Sequence, residues 1–467
     1  MVFSSVTFIF AFLPVTLIVY YLLRSRARNW WLLAVSLFFY AWGGLSFLPV
    51  MLVSILINYA GGMGLIRFRP GTRSGKAWLS FIIALNLALL GYWKYFNFGV
   101  SIAEGIAGRS FGLPQVALPI GISFFTFQGI SYVVDAYRGD AQVQKNPLII
   151  ALYISMFPQL IAGPIVRYRD VEQQIQSRMV TQAEIAAGIR RFTIGLAKKS
   201  VLANTFAVNA DKIFAMQPAQ NTPDIAWLGA VSYLLQLYFD FSGYSDMAIG
   251  LGHMLGFRFL ENFNYPFISK SAGEYWRRWH MSLGTWFHQY VYFPLGGSRC
   301  STAKIYRNII VVWFLTGLWH GADWTYVVWG MLYCLAIVLE RSTGFHKKLG
   351  PFAHVYVMLL AVLLHVIFRS PDLGYALSYL RSMFGLIRCQ NVGFRIGWYL
   401  DRYTVFLLVL GAVACTPALR RLWEKLAGHM SEGVRTAAAN GITLLLFGIC
   451  VLYVMTSTYN PFIYFQF

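Results

Sequence analysis

The sequence predicts an all-α polytopic membrane protein, and three observations predict it. Of its 467 residues, 58% are apolar and only 12% are charged, against roughly 45–50% and about 25% in soluble globular chains. Mean hydropathy is +0.56. Apolar runs recur along the whole length at close to the ~20 residues that a bilayer span requires, which leaves room for roughly 10 to 13 spans. A soluble chain of this size would need far more solvated side chains on its surface. The same composition excludes disorder, collagen, a coiled coil and a disulfide-stapled secreted domain.

The charge is lopsided, with 38 Lys and Arg against 18 Asp and Glu. In a membrane protein such an excess gathers in cytoplasmic loops, close to anionic headgroups. Membrane lipids are therefore expected partners and nucleic acid is not. Cys300, Cys334, Cys389, Cys415 and Cys450 are scattered without a CxxC pair. They read as small packing residues, with neither a metal site nor a disulfide framework.

The first span is the run Phe8 to Leu23. It lacks a preceding basic region and a following cleavage site, so it is not a removable signal. Arg24, Arg26 and Arg28 follow at once. Trp30 to Pro49 and Val50 to Ile66 are the next apolar runs. A second basic cluster (Arg67, Arg69, Arg73, Lys76) precedes a fourth run, Trp78 to Phe98. If both clusters are cytoplasmic, the N-terminus is extracytoplasmic and these spans alternate correctly. The expected location is the bacterial inner membrane.

Beyond residue 100 the pattern becomes irregular. Leu118 to Asp135 is interrupted by Pro119, Gly121 and Gly129, and the following apolar segment by Pro158, Gly163 and Pro164. Irregular backbone at membrane depth is tolerated only where protein or a wet cavity surrounds it. These segments are therefore expected to be re-entrant helices around a central tunnel. Glu184 to Phe206, with Arg190, Arg191, Lys198 and Lys199, reads as an interfacial amphipathic helix. Val355–Phe368, Tyr403–Val413 and Ile442–Met455 are later candidate spans. The expected organisation is one integral membrane domain over 1–467, with N-terminal spans in 1–100, a core in 115–340 and C-terminal spans in 350–467.

Polar groups interrupt this apolar mass in three clusters, and ionisable groups inside a membrane region usually face a bundle interior or a pathway. The first cluster holds Asp240, Ser242, Tyr244 and Asp246. It reads either as a kinked helix whose acids pair with arginines elsewhere, or as the wall of a polar tunnel. The second runs from Glu274 to Gly297. Read as helix, it puts Arg277, His280 and Gly284 on one face. With Trp276, Arg278, Trp279 and Trp286, it suits either an interfacial anchor or the binding of a phosphate-bearing ligand, since guanidinium grips phosphate as a bidentate fork. The third cluster, Phe314 to Gly330, contains Trp319, His320 and Asp323. His320 reads either as a packing residue or as a proton acceptor. A neutral imidazole can take a proton from a hydroxyl. His253, His346, His354, His365 and His429 read as structural or interfacial. No GxSxG elbow, Walker loop or HExxH motif is present.

Several long stretches, in order, resemble the membrane-bound O-acyltransferase family. They are YFDFSGYSDMAIGLG, EYWRRWHMSLGTW, YVYFPLGG and GLWHGADWTYVVWG. The opening MVFSS, LPIGISFFTFQGISYVVDAYRG, FPQLIAGPIVR and the ending NPFIYFQF add to the likeness. It is nearest to the bacterial branch containing the alginate O-acetyltransferase membrane subunit. The resemblance implies a helical bundle with a tunnel joining a cytoplasmic donor side to an extracytoplasmic acceptor side. It places the family's essential histidine on His320 and a second on His280. It implies acetyl-CoA as donor substrate and no bound cofactor. The implied partners are a periplasmic acetyl-accepting or acetyl-transferring protein and, as a further candidate, a polysaccharide synthase complex. The implied acceptor is an exopolysaccharide of alginate or cellulose type. One departure is visible: where the branch reads Arg–Asp after the tryptophan, this chain has His288–Gln289.

The reading is thus an acyltransferase in which His320 and His280 are catalytic. Asp240, Ser242, Tyr244, Asp246, Trp276, Arg277, Arg278, Trp279, Trp319 and Asp323 line the substrate path, with Asp323 orienting His320. The rivals are a proton- or ion-coupled transporter using Asp240, Asp246 and His320, a non-catalytic scaffold for a polysaccharide synthase, and an acyltransferase for peptidoglycan or teichoic acid.

Overall fold

The computed structural model describes residues 1–161, 163–390, 393–457 and 459–461. Ala162 and most of the ending NPFIYFQF lie outside the described residues. Among those described, the secondary structure is helical, with no strand. The chain divides into two compact units, 1–192 with 247–260, and 193–246 with 261–467. One long helix, Pro223–Leu255, contributes residues to both units.

In the first unit, helices Leu48–Arg67, Arg73–Leu90 and Ile122–Arg138 pack on one another. Asn58 and Asn86 exchange side-chain amide hydrogen bonds at 3.0 and 3.1 Å between the first two. Both are fully buried, so the reciprocal bonds satisfy groups that would otherwise cost about 1–3 kcal/mol each. A Cβ on Gly129 would stand 2.2 Å from Asn58 Nδ2. That glycine therefore makes room for the amide pair and does not break its helix. The expected interruption at Gly129 is absent; Ile122–Arg138 begins after the left-handed Gly121 and runs through. Ile122 to Ala136 is buried throughout, so the helix faces protein and not lipid.

Four helices are individually long and apolar enough to cross a membrane: Leu45–Arg67, Arg73–Ala107, Phe352–Arg369 and Glu432–Thr456. A fifth appears if Arg402–Ala414 and Ala418–Ala427, bent by 72°, count as one broken span. Roughly 10 to 13 spans are expected from length; among the described residues four to five helices meet the length and apolarity of a full span by themselves. The chain's other apolar runs are short, such as Phe8–Leu22 and the 17-residue Ile122–Arg138, or divide into pieces. Pro147–Ser155 and Phe157–Leu160 are separated by an extended Met156 just before Pro158. The three later candidate spans fall within Phe352–Arg369, Arg402–Ala414 and Glu432–Thr456.

The stretch 184–206 is not one interfacial amphipathic helix. Helix Gln182–Ala197 passes into a π-helical turn, Lys198–Ala203, and then into Asn204–Phe214. Lys199 is 2% exposed. A lysine buried this deeply is not a headgroup contact, and its amine must find an anion inside the protein.

Candidate active site

The second unit is organised around a tight helical hairpin, Thr302–His320 and Trp324–Thr343. Gly317 and Gly330 set its closeness. A Cβ on Gly317 would meet the Tyr326 carbonyl at 2.6 Å, and one on Gly330 the Trp313 carbonyl at 2.7 Å. His320 is the last residue of its helix, which ends because Gly321 turns to extended backbone. Asp323 then caps the second helix. Its Oδ1 accepts from the Thr325 amide at 2.9 Å and the Thr325 hydroxyl at 3.1 Å. The turn is therefore fixed at both ends, and Asp323 has a capping role.

His320 is 6% exposed. It faces a cavity of ≈ 10 Å³ whose walls include Phe241, Trp276, Trp329, His365 and Phe368, about the room of one water. The His320 ring is 5.0 Å from that of Trp329 and 5.4 Å from that of Phe368, edge to face in both cases. His365 is the residue here that sequence reasoning missed. It approaches the Ala361 carbonyl through Nδ1 at 2.7 Å. A carbonyl only accepts, so that nitrogen carries the ring proton. Nothing in the apolar run around His365 signals this position; only the packing of Phe352–Arg369 against Trp324–Thr343 brings it here.

The segment 272–287 is broken where one continuous helix was expected. Ala272–Arg278 ends at an extended Trp279, and Met281–Phe287 begins after His280, whose φ is 45°. Arg277, His280 and Gly284 therefore do not share one helical face. A left-handed histidine is uncommon and needs surrounding structure to hold it. Here that structure is Asn262, fully buried. Its carbonyl oxygen lies 3.1 Å from His280 Nδ1 and accepts from Ser282 N at 3.2 Å and Ser282 Oγ at 2.9 Å. Its amide donates to Ser245 Oγ at 3.1 Å. An acceptor at Nδ1 makes that nitrogen the protonated one. His280 Nε2 then has no hydrogen-bond partner among the described residues. Asn262 was not legible beforehand, because the segment NFNYP carries no motif.

The break sends the two halves of the cluster to different tasks. Trp276 and Trp279 turn inward to the His320 cavity, while Arg277 is exposed. Arg278 pairs with Glu274 at 2.9 Å and donates to the Asn264 carbonyl. The amides of Ala272 and Gly273 donate to buried Glu340 at 2.5 and 3.2 Å, so a carboxylate anchors the start of this short helix. Trp319 stands between the two histidines, 5.6 Å from His280 and 5.0 Å from His320 by ring centroids. His288, at the departure from the family pattern, starts a π-helical turn and packs on Tyr292 and Phe293.

Asp240 and Asp246 lie on helix Pro223–Leu255, which runs without interruption for 33 residues. Asp240 pairs with Lys199 and Asp246 with Lys198, both at 2.7 Å. Gly243 allows the approach: a Cβ there would lie 2.7 Å from the Gly195 carbonyl. The partners are lysines of the π-helical turn, not arginines. Ser242 and Tyr244 are buried on the same helix. Among the described residues there is no cluster of three or more His, Cys, Asp or Glu suited to a metal.

Among the described residues the chain is all-helical, several helices have membrane length and apolarity, and a buried histidine stands at a helix break beside indoles; this is the architecture of a helical membrane protein with an enclosed histidine. Residues 140–362 match the model of the membrane-bound O-acyltransferase family, a stretch holding His280 and His320. The chain is 41% identical over 489 residues to the "Probable alginate O-acetylase AlgI" of Pseudomonas putida, covering 100% of both chains. It is 32% identical over 521 residues to the "Peptidoglycan O-acetyltransferase" of Helicobacter pylori, covering 100% of this chain and 98% of that one. Against the "Teichoic acid D-alanyltransferase" of Bacillus subtilis it is 30% identical over 49% of this chain and 60% of the other. The chain belongs to the membrane-bound O-acyltransferase family and is an acyltransferase.

Proposed function

We propose that this protein moves an acetyl group from cytoplasmic acetyl-CoA across the bacterial inner membrane to an acceptor hydroxyl on the far side, from which periplasmic partner proteins pass it to an exopolysaccharide of the alginate or cellulose type. The full-length likeness to the Pseudomonas putida protein supports the acyl group and acceptor class. The observation that carries the mechanism is His320, buried at a helix break and walled by aromatic rings. The acceptor oxygen attacks the thioester carbonyl carbon while its proton passes to His320. A C–O bond forms, the C–S bond breaks, and the departing thiolate takes the proton back. General-base assistance of this kind contributes typically ~10²–10⁴-fold.

Arg277, exposed on the helix whose Trp276 lines the cavity, suits the donor's phosphates. His280 offers a buried ring nitrogen that polarises the carbonyl or positions the acceptor. The cavity of ≈ 10 Å³ is smaller than a thioester, so substrate entry opens it into the tunnel. The N-terminus is extracytoplasmic, the two basic clusters near residues 24 and 70 stay in the cytoplasm, and a periplasmic protein receives the acetyl group. The transporter reading uses Asp240, Asp246 and His320; the two acids are paired with Lys199 and Lys198.

Purified protein in lipid nanodiscs, given radiolabelled acetyl-CoA and either alginate or peptidoglycan fragments, tests this reading. The expected result is release of free CoA, with label on alginate once a periplasmic extract supplies the partner, both lost in His320→Ala. Label on peptidoglycan alone would move the acceptor, and wild-type protein that leaves acetyl-CoA intact would overturn the reaction.

A further inference from the structure

Attack on a thioester drives negative charge onto its carbonyl oxygen, and preorganised donors aimed at that oxygen are commonly the largest single catalytic contribution. This inference rests on the acyl-transfer reading and asks which groups of the His320 cavity supply those donors. Some buried donors of the second unit are used: Trp227 Nε1 donates to the Met383 carbonyl at 2.9 Å and Tyr379 Oη to the Ala226 carbonyl at 3.0 Å. Others, the hydroxyls of Ser232, Tyr233, Tyr275 and Tyr333, meet no hydrogen-bond partner among the described residues, but they are not among the walls of the His320 cavity. Trp329 differs. It is 1% exposed, and its Nε1 meets no acceptor among the described residues. Trp276 Nε1 is likewise buried without an acceptor. An orphaned buried donor costs about 1–3 kcal/mol, and two of them belong to walls of one cavity.

Their mutual geometry is fixed. The Trp276 and Trp329 rings are 5.4 Å apart at 81°, and Trp329 stands 5.0 Å from the His320 ring, also at 81°. Gly330, next to Trp329, is pressed on the Trp313 carbonyl across the hairpin. That close contact fixes the backbone beside Trp329, and the Trp276, Tyr333 and Phe368 rings pack on its indole. We propose that the indole N–H of Trp329, with that of Trp276 beside it, forms the oxyanion hole of this enzyme. As the acceptor oxygen bonds to the carbonyl carbon, the C=O π pair moves onto oxygen and the two N–H groups donate to it. Collapse re-forms C=O and expels the thiolate. Trp329 is then a catalytic residue and not a packing residue alone.

The test deletes the N–H and keeps the ring. Trp329→Phe and full-length protein carrying 3-benzothienylalanine at 329, in which sulfur replaces the N–H at nearly constant shape, are assayed in nanodiscs for CoA release from acetyl-CoA. Both are expected to lose about 10²-fold in kcat, with KM for acetyl-CoA within about threefold of wild type. Trp276→Phe is expected to lose about tenfold in the same way. A benzothienylalanine protein with kcat within about threefold of wild type overturns the proposal, even if Trp329→Phe is inactive, because shape alone then accounts for Trp329. That result leaves the acyl-transfer reading standing. Wild-type protein unable to cleave acetyl-CoA overturns both.

Discussion

His280 and His320 sit within the same unit, separated by one indole, and are held in opposite ways. His280 is oriented by a polar network: the Asn262 carbonyl oxygen accepts the hydrogen bond of its Nδ1–H, and the same oxygen accepts two from Ser282. Its backbone is left-handed, in a break between two short helices. His320 ends a long regular helix and is positioned by rings, chiefly Trp329 and Phe368. The difference teaches that direction matters most for one residue and access for the other. A hydrogen-bonded ring cannot turn without losing its network. His320 stands on the wall of the cavity, where an entering group meets it.

The comparison breaks first at His320. His320→Ala is expected to lower acetyl transfer by ~10³–10⁴-fold with the amount of membrane-inserted protein unchanged, measured as CoA release against protein level. His280 should respond through its support as much as directly. Asn262→Ala removes the acceptor for Nδ1 and frees the ring to turn. We expect a loss of ~10²-fold in kcat, the size typical of a displaced catalytic group, with partial recovery in Asn262→Asp, which restores an acceptor. An Asn262→Ala protein with full kcat would show that His280 needs no orientation.

How far this contrast could be read from residues alone follows from the same two sites. His320 and its flanking glycines were legible, because a histidine inside a strong apolar run is conspicuous. The helix break at Gly321 and the cap at Asp323 follow local rules that short sequence windows carry. The role of Asp323 did not follow, since capping and histidine orientation draw on the same carboxylate. Asn262, Glu340 and His365 were not legible. Each acts across 18, 68 or 45 positions of chain, on His280, Ala272 or His320, and tertiary packing alone brings the partners together. The lysines at 198 and 199 were visible but misassigned. Amphipathic spacing on a basic segment reads as a membrane surface, and only the fold shows that carboxylates on Pro223–Leu255 face it.

That buried pair sharpens the comparison from the side of stability. Lys199 and Asp240 are 3% and 2% exposed at the side chain, so removing one leaves an uncompensated charge. Asp240→Asn is expected to destabilise the protein by about 3–5 kcal/mol, and the double change Asp240→Leu with Lys199→Met to recover most of it. Thermal unfolding of the detergent-solubilised protein reads both. Acetyl transfer per folded molecule should change little, which separates these charges from the histidines.

The smallest expected effect lies at the exposed end of the same cluster. Arg277 extends from the helix whose Trp276 lines the His320 cavity, and it is exposed. Exposed charges contribute little to stability, on the order of 0–1 kcal/mol, so Arg277→Ala should leave unfolding unchanged. If the guanidinium meets donor phosphates, its removal should raise KM for acetyl-CoA about three- to tenfold and leave kcat near wild type, a loss of uniform binding. The defect should shrink as salt rises, because screening already weakens the wild-type contact. Arg277→Lys should recover the charge but not the planar two-pronged contact, and so fall between the two. A KM insensitive to both changes would remove Arg277 from the donor path while leaving the two-histidine contrast untouched, since neither ring depends on it for position.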